Sequence, residues 1–239
     1  MRWRLAALAL LATFSASVQA TDWDWTFAPY LWAASVTTDL REDVPPVPNE
    51  SSFSDVVDKL DFAFQGHLEG QGDRFGAMLD VSYLALSDDR SFGSFDTESS
   101  VNVTMTEIAG VWNVDPARYE GLDLIVGLRH TVADADFDIR PQAAPLPDVR
   151  VGIDQSYTDV MVGARYTAQL SDRWSIVTRA DGSWGDNDGA VNLSAMLGRR
   201  FASGTLLFGY RYLATDLSEA GTEVDLTMHG PIVAFAFGL

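Results

Sequence analysis

From residue 61 onward, apolar and polar side chains alternate one by one in segment after segment. Phe62, Phe64 and Leu68 alternate with Asp61, Gln65, His67 and Glu69, and Phe75, Ala77, Leu79, Val81 and Tyr83 alternate with Arg74, Asp80 and Ser82. Successive strand residues point to opposite faces, so each segment reads as a strand with one greasy and one polar side. The pattern places strands at about 22–36, 61–70, 73–87, 99–114, 121–135, 153–170, 173–184, 189–201, 204–216 and 222–238. No Pro/Gly/Ser linker divides the chain, so residues 21–239 are expected to form one all-β domain.

The start of the chain is different. Met1, Arg2, Trp3 and Arg4 precede a nearly uninterrupted apolar run from Leu5 to Val18 that ends on Val18-Gln19-Ala20. A basic head, a short apolar run and a small-x-small end make up a cleaved secretory signal, so residues 1–20 are expected to be removed after Ala20. Beyond Ala20 no stretch of about 18 apolar residues occurs, so the mature chain cannot cross a bilayer as a helix. There is no cysteine, which excludes disulfides and Cys-based metal or redox chemistry. The formal net charge of −18 argues against nucleic acid as a partner, because phosphate binding needs an excess of Lys and Arg.

The connections sort by length. Tight links at Gly70 to Asp73, Asp115 to Gly121, Ser171 to Arg173 and Phe201 to Gly204 alternate with stretches at 37–60, 88–98, 136–152, 185–188 and 217–221, most of them longer. Short inner turns and longer outer loops characterise an antiparallel up-and-down transmembrane β-barrel, here of about ten strands, with eight or twelve as alternatives. Much of the acid falls in the outer set: Asp39, Glu42, Asp43, Glu50, Asp55, Asp58, Asp88, Asp89, Asp96, Glu98, Asp136, Asp138, Asp148, Asp186, Asp188 and Glu219. In the first of these loops, Ser52-Phe53-Ser54-Asp55 ahead of Val56, Val57 and Leu60 fits a capping box and predicts a short helical turn.

A membrane barrel turns its apolar face outward, whereas a soluble, lipocalin-like barrel turns it inward. The polar face carries Glu69, Asp80, Arg129, Asp159, Arg165, Arg179, Asp181 and Arg211, interspersed with Gly66, Gly76, Gly127, Gly163 and Gly209. Mixed charge alternating with glycine suits a confined lumen where opposite charges pair. The other face carries Phe27, Leu31, Leu79, Val126, Val162, Ile176, Leu193, Leu206 and Phe208 and suits lipid. Trp25, Trp32, Trp112, Tyr166, Trp174, Trp184, Tyr210 and Tyr212 fall near strand ends, where interfacial girdles form. Parity fails twice: Glu107 shares a side with Val103 and Val111, and Asp225 and His229 share a side with Phe235 and Phe237. A bulge at Gly230-Pro231 would repair the second case.

Ala28-Pro29-Tyr30-Leu31-Trp32-Ala33, Asp55-Val56-Val57-Asp58-Lys59-Leu60 and Gly209-Tyr210-Arg211-Tyr212-Leu213, with Glu69 and Asp80 between them, resemble an uncharacterised family of proteobacterial outer-membrane barrels. The chain's end, Ile232 to Leu239, is similar to the C-terminal insertion signal of such proteins, with Leu239 in place of the usual Phe. The resemblance implies the Gram-negative outer membrane as location, surrounded by lipopolysaccharide, with the barrel-assembly machinery as a partner during insertion. It brings no activity with it.

Three functions fit these residues. The charged lumen is either a plug or a narrow conduit for small solutes, with Arg129, Arg165, Arg179 and Arg211 opposite Glu69, Asp80, Asp159 and Asp181. A rim-active enzyme, lipid-modifying or protease-like, would need a base beside a nucleophile, and His67, His130 and His229 adjoin no nucleophile motif; no catalysis and no cofactor are expected. A structural role would use the acidic loops, to which divalent cations could bind, although Asp186-Asn187-Asp188-Gly189 lacks the ligand spacing of a calcium loop. A monomer is expected. If the signal reading holds, the intact mass of the exported protein will correspond to a chain starting at Thr21; a mass that retains Arg2 and Arg4 would refute it.

Overall fold

The computed structural model describes residues 23–40, 49–51, 60–92, 95–115, 118–141, 149–219 and 222–239. The expected signal (1–20) and the helical turn expected at Ser52 to Asp55 lie outside the described residues. The described segments form one antiparallel sheet closed into a transmembrane barrel of ten staves. The first stave is β1 (Asp24–Trp32) continued by β2 (Ser35–Leu40), and β3 (Asn49–Ser51) is a short addition on β2. The other nine are β4 (Leu60–Gln71), β5 (Phe75–Phe92), β6 (Phe95–Asn113), β7 (Gly121–Pro141), β8 (Val149–Ser171), β9 (Trp174–Gly185), β10 (Gly189–Phe201), β11 (Gly204–Glu219) and β12 (Thr222–Gly238). From β4 to β12 each strand pairs with the next in sequence, and β1 pairs with both β4 and β12, which closes the ring.

The first stave breaks where prolines remove donors. Pro29 on β1 and Pro231 on β12 have no N–H to give. β1 separates from β4 after Pro29↔Gly66, and the Trp32 N–H, left without a strand partner, donates to Gln65 Oε1 at 2.6 Å. On the other side Ala33 N donates to the Pro231 carbonyl at 2.9 Å. The register runs unbroken from Trp32↔Ile232 to Ser35↔His229, and β12 stays in step with β11 through Tyr210↔Pro231 and Arg211↔Gly230. The bulge expected at Gly230-Pro231 is therefore absent. Asp225 instead sits in register opposite Asp216 and Asp39 on the outer extension of the wall.

Outward and inward faces separate as a membrane barrel requires. Leu31, Leu79, Val126, Val162, Ile176, Leu193 and Phe208 are exposed, Val126 by 58%, whereas Glu69, Asp80, Arg129, Asp159, Asp181 and Arg211 are buried and Arg165 and Arg179 partly so. This inverts a soluble barrel and overturns the lipocalin-like alternative. On β9 the apolar face runs from Trp174 to Trp184; ten residues at about 3.4 Å, tilted by about 40°, span roughly 25 Å, the height of a barrel's lipid-facing band. Trp25, Trp112, Tyr166, Trp184, Tyr210 and Tyr212 are exposed, and Trp174 and Phe201 flank the Arg199 guanidinium at 5.3 and 5.2 Å. Trp32, expected in this girdle, instead points inward and is buried. Gly66, expected on the lumen side, faces outward beneath Phe27 and Phe64. The space above it is filled by those rings.

Two of the expected outer loops are mostly strand. β5 to β8 reach 18 to 23 residues, far more than the roughly 9–11 that cross hydrocarbon. Asp88, Asp89, Asp96, Glu98, Asp136 and Asp138 lie in these ladders, with pairs such as Asp89↔Glu98 and Asp136↔Gly152. Beyond the lipid the outward face need not be apolar, so the alternation ends while the hydrogen-bond ladder continues.

Inward-facing Gly127 marks a close strand approach: a methyl there would overlap the Ile108 carbonyl and Ala109. At Gly110, outward on β6, the nearest atom to an added methyl is 3.9 Å away. Refolding into detergent, followed by heat-modifiable migration in a denaturing gel, should show Gly127→Val failing to form the compact species and Gly110→Ala matching wild type. Equal yields for the two would contradict the packing described.

Candidate functional site

The inward residues form tiers along the barrel axis, taking the side of the tight turns as periplasmic. The inner tier is built on Glu69 of β4 and Arg165 of β8. Arg165 donates to both Glu69 oxygens at 2.6 and 2.7 Å and to Asp123 Oδ2 at 2.7 and 2.9 Å. Asp123 is held by Asn113, and Glu69 also accepts from Gln71 at 2.6 Å. Counting β4, β5, β6, β7, β8, the Glu69–Arg165 pair joins staves four steps apart in a ring of ten, almost a diameter. A bidentate guanidinium–carboxylate fork is the strongest such link available and fixes both side chains.

The central tier gathers on Glu107 of β6, which is 1% exposed. Arg129 of β7 donates to Glu107 at 2.7 Å and Asp181 at 2.6 Å, and its remaining terminal nitrogen reaches Ser183 at 3.1 Å. Arg179 of β9 donates to the other Glu107 oxygen at 2.7 Å; its Nε lies 2.7 Å from Asp181, off the angle of a hydrogen bond. Arg211 of β11 donates from Nε to Asn192 at 2.9 Å, approaches Glu107 only to 3.7 Å, and lies over the Trp32 ring at 4.7 Å. Asn192 in turn donates to Asp181 at 2.7 Å.

Between the tiers stand Asp80 and His67. The His67 ring nitrogens lie 3.0 Å from Asp80 and 3.0 Å from Glu69, and Tyr30 donates to Asp80 at 2.6 Å. Apolar side chains fill much of the rest. Met78, Ala109, Val111, Ile125 and Met161 pack one side of the lumen, with Ile125 and Met161 wholly buried. Trp32, Ala34, Met105, Ala190, Leu213 and Ile232 form a second cluster.

Of the residues singled out in the sequence, seven fall within these linked tiers. Asp159 does not. Although it is Arg129's register neighbour, it accepts from the Asn187 side chain at 2.6 Å and the Asp186 and Asn187 N–H groups at 3.1 and 3.3 Å, tying down the outer β9–β10 turn. Glu107, absent from the expected charge set, is the central acceptor. The parity fault flagged it: a carboxylate sharing a face with Val103 and Val111 shows that this lumen face is itself partly apolar. His130 and His229 face outward, bonded to Thr158 at 2.9 Å and Tyr210 at 2.6 Å.

The inner end holds a cavity of about 650 Å³. Its mouth lies at the β10–β11 turn, from Arg200 to Thr205, and Arg211 and Arg179 line its far end. The β6–β7 turn folds beneath the opposite side. Arg118 bridges Asp24 and Asp73 at 2.7 and 2.8 Å, and Tyr119, at a φ of 58°, donates from its N–H to Gln71 at 2.7 Å and from its hydroxyl to the Asp24 carbonyl at 2.6 Å. Burial raises the Tyr119 phenol above its ordinary pKa, so it stays a donor. Among the described residues, no group of His, Asp and Glu has metal-binding geometry.

Removing Glu107 would leave three inward arginines facing Asp181 alone. Stripping one partner from a buried ionic cluster costs about 3–5 kcal/mol. Urea titration of the refolded barrel should show Glu107→Ala destabilised by that order and Asp159→Ala by about 1 kcal/mol, the scale of a lost turn cap. Equal effects would contradict a cluster centred on Glu107.

Neither a protein-family model nor a curated protein sequence matches the chain. Solved structures do match. The outer-membrane protease OmpT from Escherichia coli aligns with a TM-score of 0.51 at 7% identity, covering 92% of this chain and 98% of that one. Ail, the attachment invasion locus protein of Yersinia pestis, in complex with the heparin analogue sucrose octasulfate, aligns at 0.42 and 10% identity over 90% and 98%. The toluene transporter TodX of P. putida aligns at 0.37 and 8% identity over 91% and 90%. At these identities the likeness concerns architecture: this chain has the fold of Gram-negative outer-membrane β-barrels.

Proposed function

We propose that this chain is a monomeric outer-membrane barrel with a closed lumen, serving a structural or binding role and not acting as an open pore. The observation that carries this reading is the Glu107 cluster: carboxylates and guanidinium groups from β6, β7 and β9 meet in the middle of the barrel, and Arg211 closes on them from the opposite wall. About ten strands enclose an interior that side chains can nearly fill, and here they do so with groups that neutralise one another. Opening a path would mean separating buried ion pairs, at several kcal/mol for each partner exposed. The alternative, a narrow solute channel, would need these tiers to part.

No catalysis is proposed. His67 has a carboxylate against each ring nitrogen, which leaves neither free for a substrate proton, and the other two histidines point out of the barrel. The partners that fit this reading are lipopolysaccharide around the apolar band, the barrel-assembly machinery during insertion, and divalent cations at the acidic outer rim. Membership of an uncharacterised proteobacterial barrel family is proposed on the three motifs alone.

Planar-bilayer recording tests the closed lumen. Wild-type protein, with insertion verified by protease protection in parallel vesicles, should give no discrete conductance steps. Regular unitary steps from the wild-type barrel would overturn the reading in favour of a channel.

A further inference from the structure

We propose that the inner cavity binds an amphiphilic carboxylate, with its head on Arg211 at the blind end and its hydrocarbon tail along Ala28, Leu207, Ile232 and Ala234 toward the periplasmic mouth. The inference rests on the closed outer end described above, which makes the cavity a pocket.

Shape comes first. The cavity of about 650 Å³ is of the size that encloses a small organic ligand. From Thr205 at the mouth to Arg211 is six residues of β11, roughly 15 Å along the axis at about 3.3 Å per residue and a tilt of about 40°. The space exists because inward positions on β1 and β12 are small: Ala28, Ala234 and Ala236 stand where other staves place arginines, carboxylates and methionines. With Leu207, Ile232 and Val177 they make one apolar wall, which gains nothing from water and suits a hydrocarbon chain.

Chemistry selects the head. On the opposite wall Arg165, Glu69 and His67 are committed to one another. Arg211 is not so committed. It is buried, and among the described residues its side chain makes one hydrogen bond, to the neutral Asn192, while the nearest carboxylate, Glu107, is 3.7 Å away and already holds Arg129 and Arg179. The central tier therefore sets three guanidinium groups against two carboxylates, Glu107 and Asp181. Asp80, the next candidate, is held by Tyr30 and His67. The four terminal N–H groups of Arg211 form the planar fork that matches a carboxylate. Access is matched too, because Arg173, Arg199 and Arg200 outnumber Asp172 at the periplasmic rim beside the mouth, a net positive patch that favours the approach of anions.

The test is isothermal titration of the full-length folded barrel in a non-ionic maltoside with decanoate, decan-1-ol and acetate. Decanoate should bind saturably at one site, decan-1-ol at least tenfold more weakly, and acetate without saturation. Arg211→Gln should abolish the preference for decanoate over decan-1-ol. Ala234→Phe, which fills the cavity without touching the ionic tiers, should weaken decanoate at least tenfold in protein that still migrates as the compact species. Equal binding of decanoate and decan-1-ol by wild type, no binding of either, or decanoate binding indifferent to Ala234→Phe would each overturn the proposal. Conductance steps in the bilayer experiment would remove the closed-lumen reading while leaving a measured decanoate preference standing, so the two failures are separable.

Discussion

Hydrocarbon offers a strand no hydrogen bonds, so every edge in the bilayer must be paired, and the meeting of β1 with β12 is what satisfies this chain. Once the ring closes, inward residues face the lumen and outward ones face lipid across the apolar band and water beyond it. That division explains the inversion of the fold, with valine, leucine and phenylalanine on the surface and five linked carboxylates within. It also explains why the weak point is the first stave. There Pro29 and Pro231 interrupt the ladder, and the freed groups are taken up by Gln65 and by Ala33 across the seam.

The interior solves a second problem set by the first. Ten staves enclose too narrow a space for a wide aqueous channel and too wide a space for small side chains alone. Arginine fills it well, because one guanidinium can reach two staves at once: Arg165 joins β4 and β7 from β8, and Arg129 joins β6 and β9 from β7. In each case one carboxylate is the register partner on the adjacent strand, Asp123 for Arg165 and Glu107 for Arg129, and the other lies farther round the ring. Lysine, with a point charge and no fork, could not bridge in this way. Methionines 78 and 161 fill the gaps the ionic groups leave, and the Met161 sulfur lies 3.5 Å from an Arg129 nitrogen.

The two ends of the barrel differ as a result. Toward the outside, long strands carry acidic residues beyond the membrane, and buried apolar side chains such as Trp32, Met105 and Leu213 pack inside the wall. Toward the periplasm, small residues on β1 and β12 leave a pocket roofed by the under-committed Arg211. Among the described residues the lumen is packed toward the outside and hollow toward the periplasm, the asymmetry on which the proposed ligand pocket rests.

Much of this was legible in residue order. A side-chain period of two, interrupted by turns of unequal length, is a local property, and it located nearly every stave to within a few residues and placed Arg129, Arg165, Arg179, Arg211, Glu69, Asp80 and Asp181 on one face. It could not supply partners. Arg129 and Asp159 are adjacent in register, yet Arg129 bonds Glu107 and Asp181 while Asp159 bonds the β9–β10 turn, a choice among neighbours that alternation does not encode. Grouping by residue type misplaced Trp32 with the girdle and Gly66 with the lumen, although strict alternation with Leu31 and with Glu69 turns Trp32 inward and Gly66 outward, as the structure has them. Periodicity lost the outer ends of β5 to β8 as well, where water faces the wall and no alternation is imposed. The sequence by itself determined that strands with two unlike faces would form a barrel turned inside out. Tertiary structure alone decided that Glu107 would be its centre and Arg211 its unfinished contact, because both depend on which residues meet across a diameter.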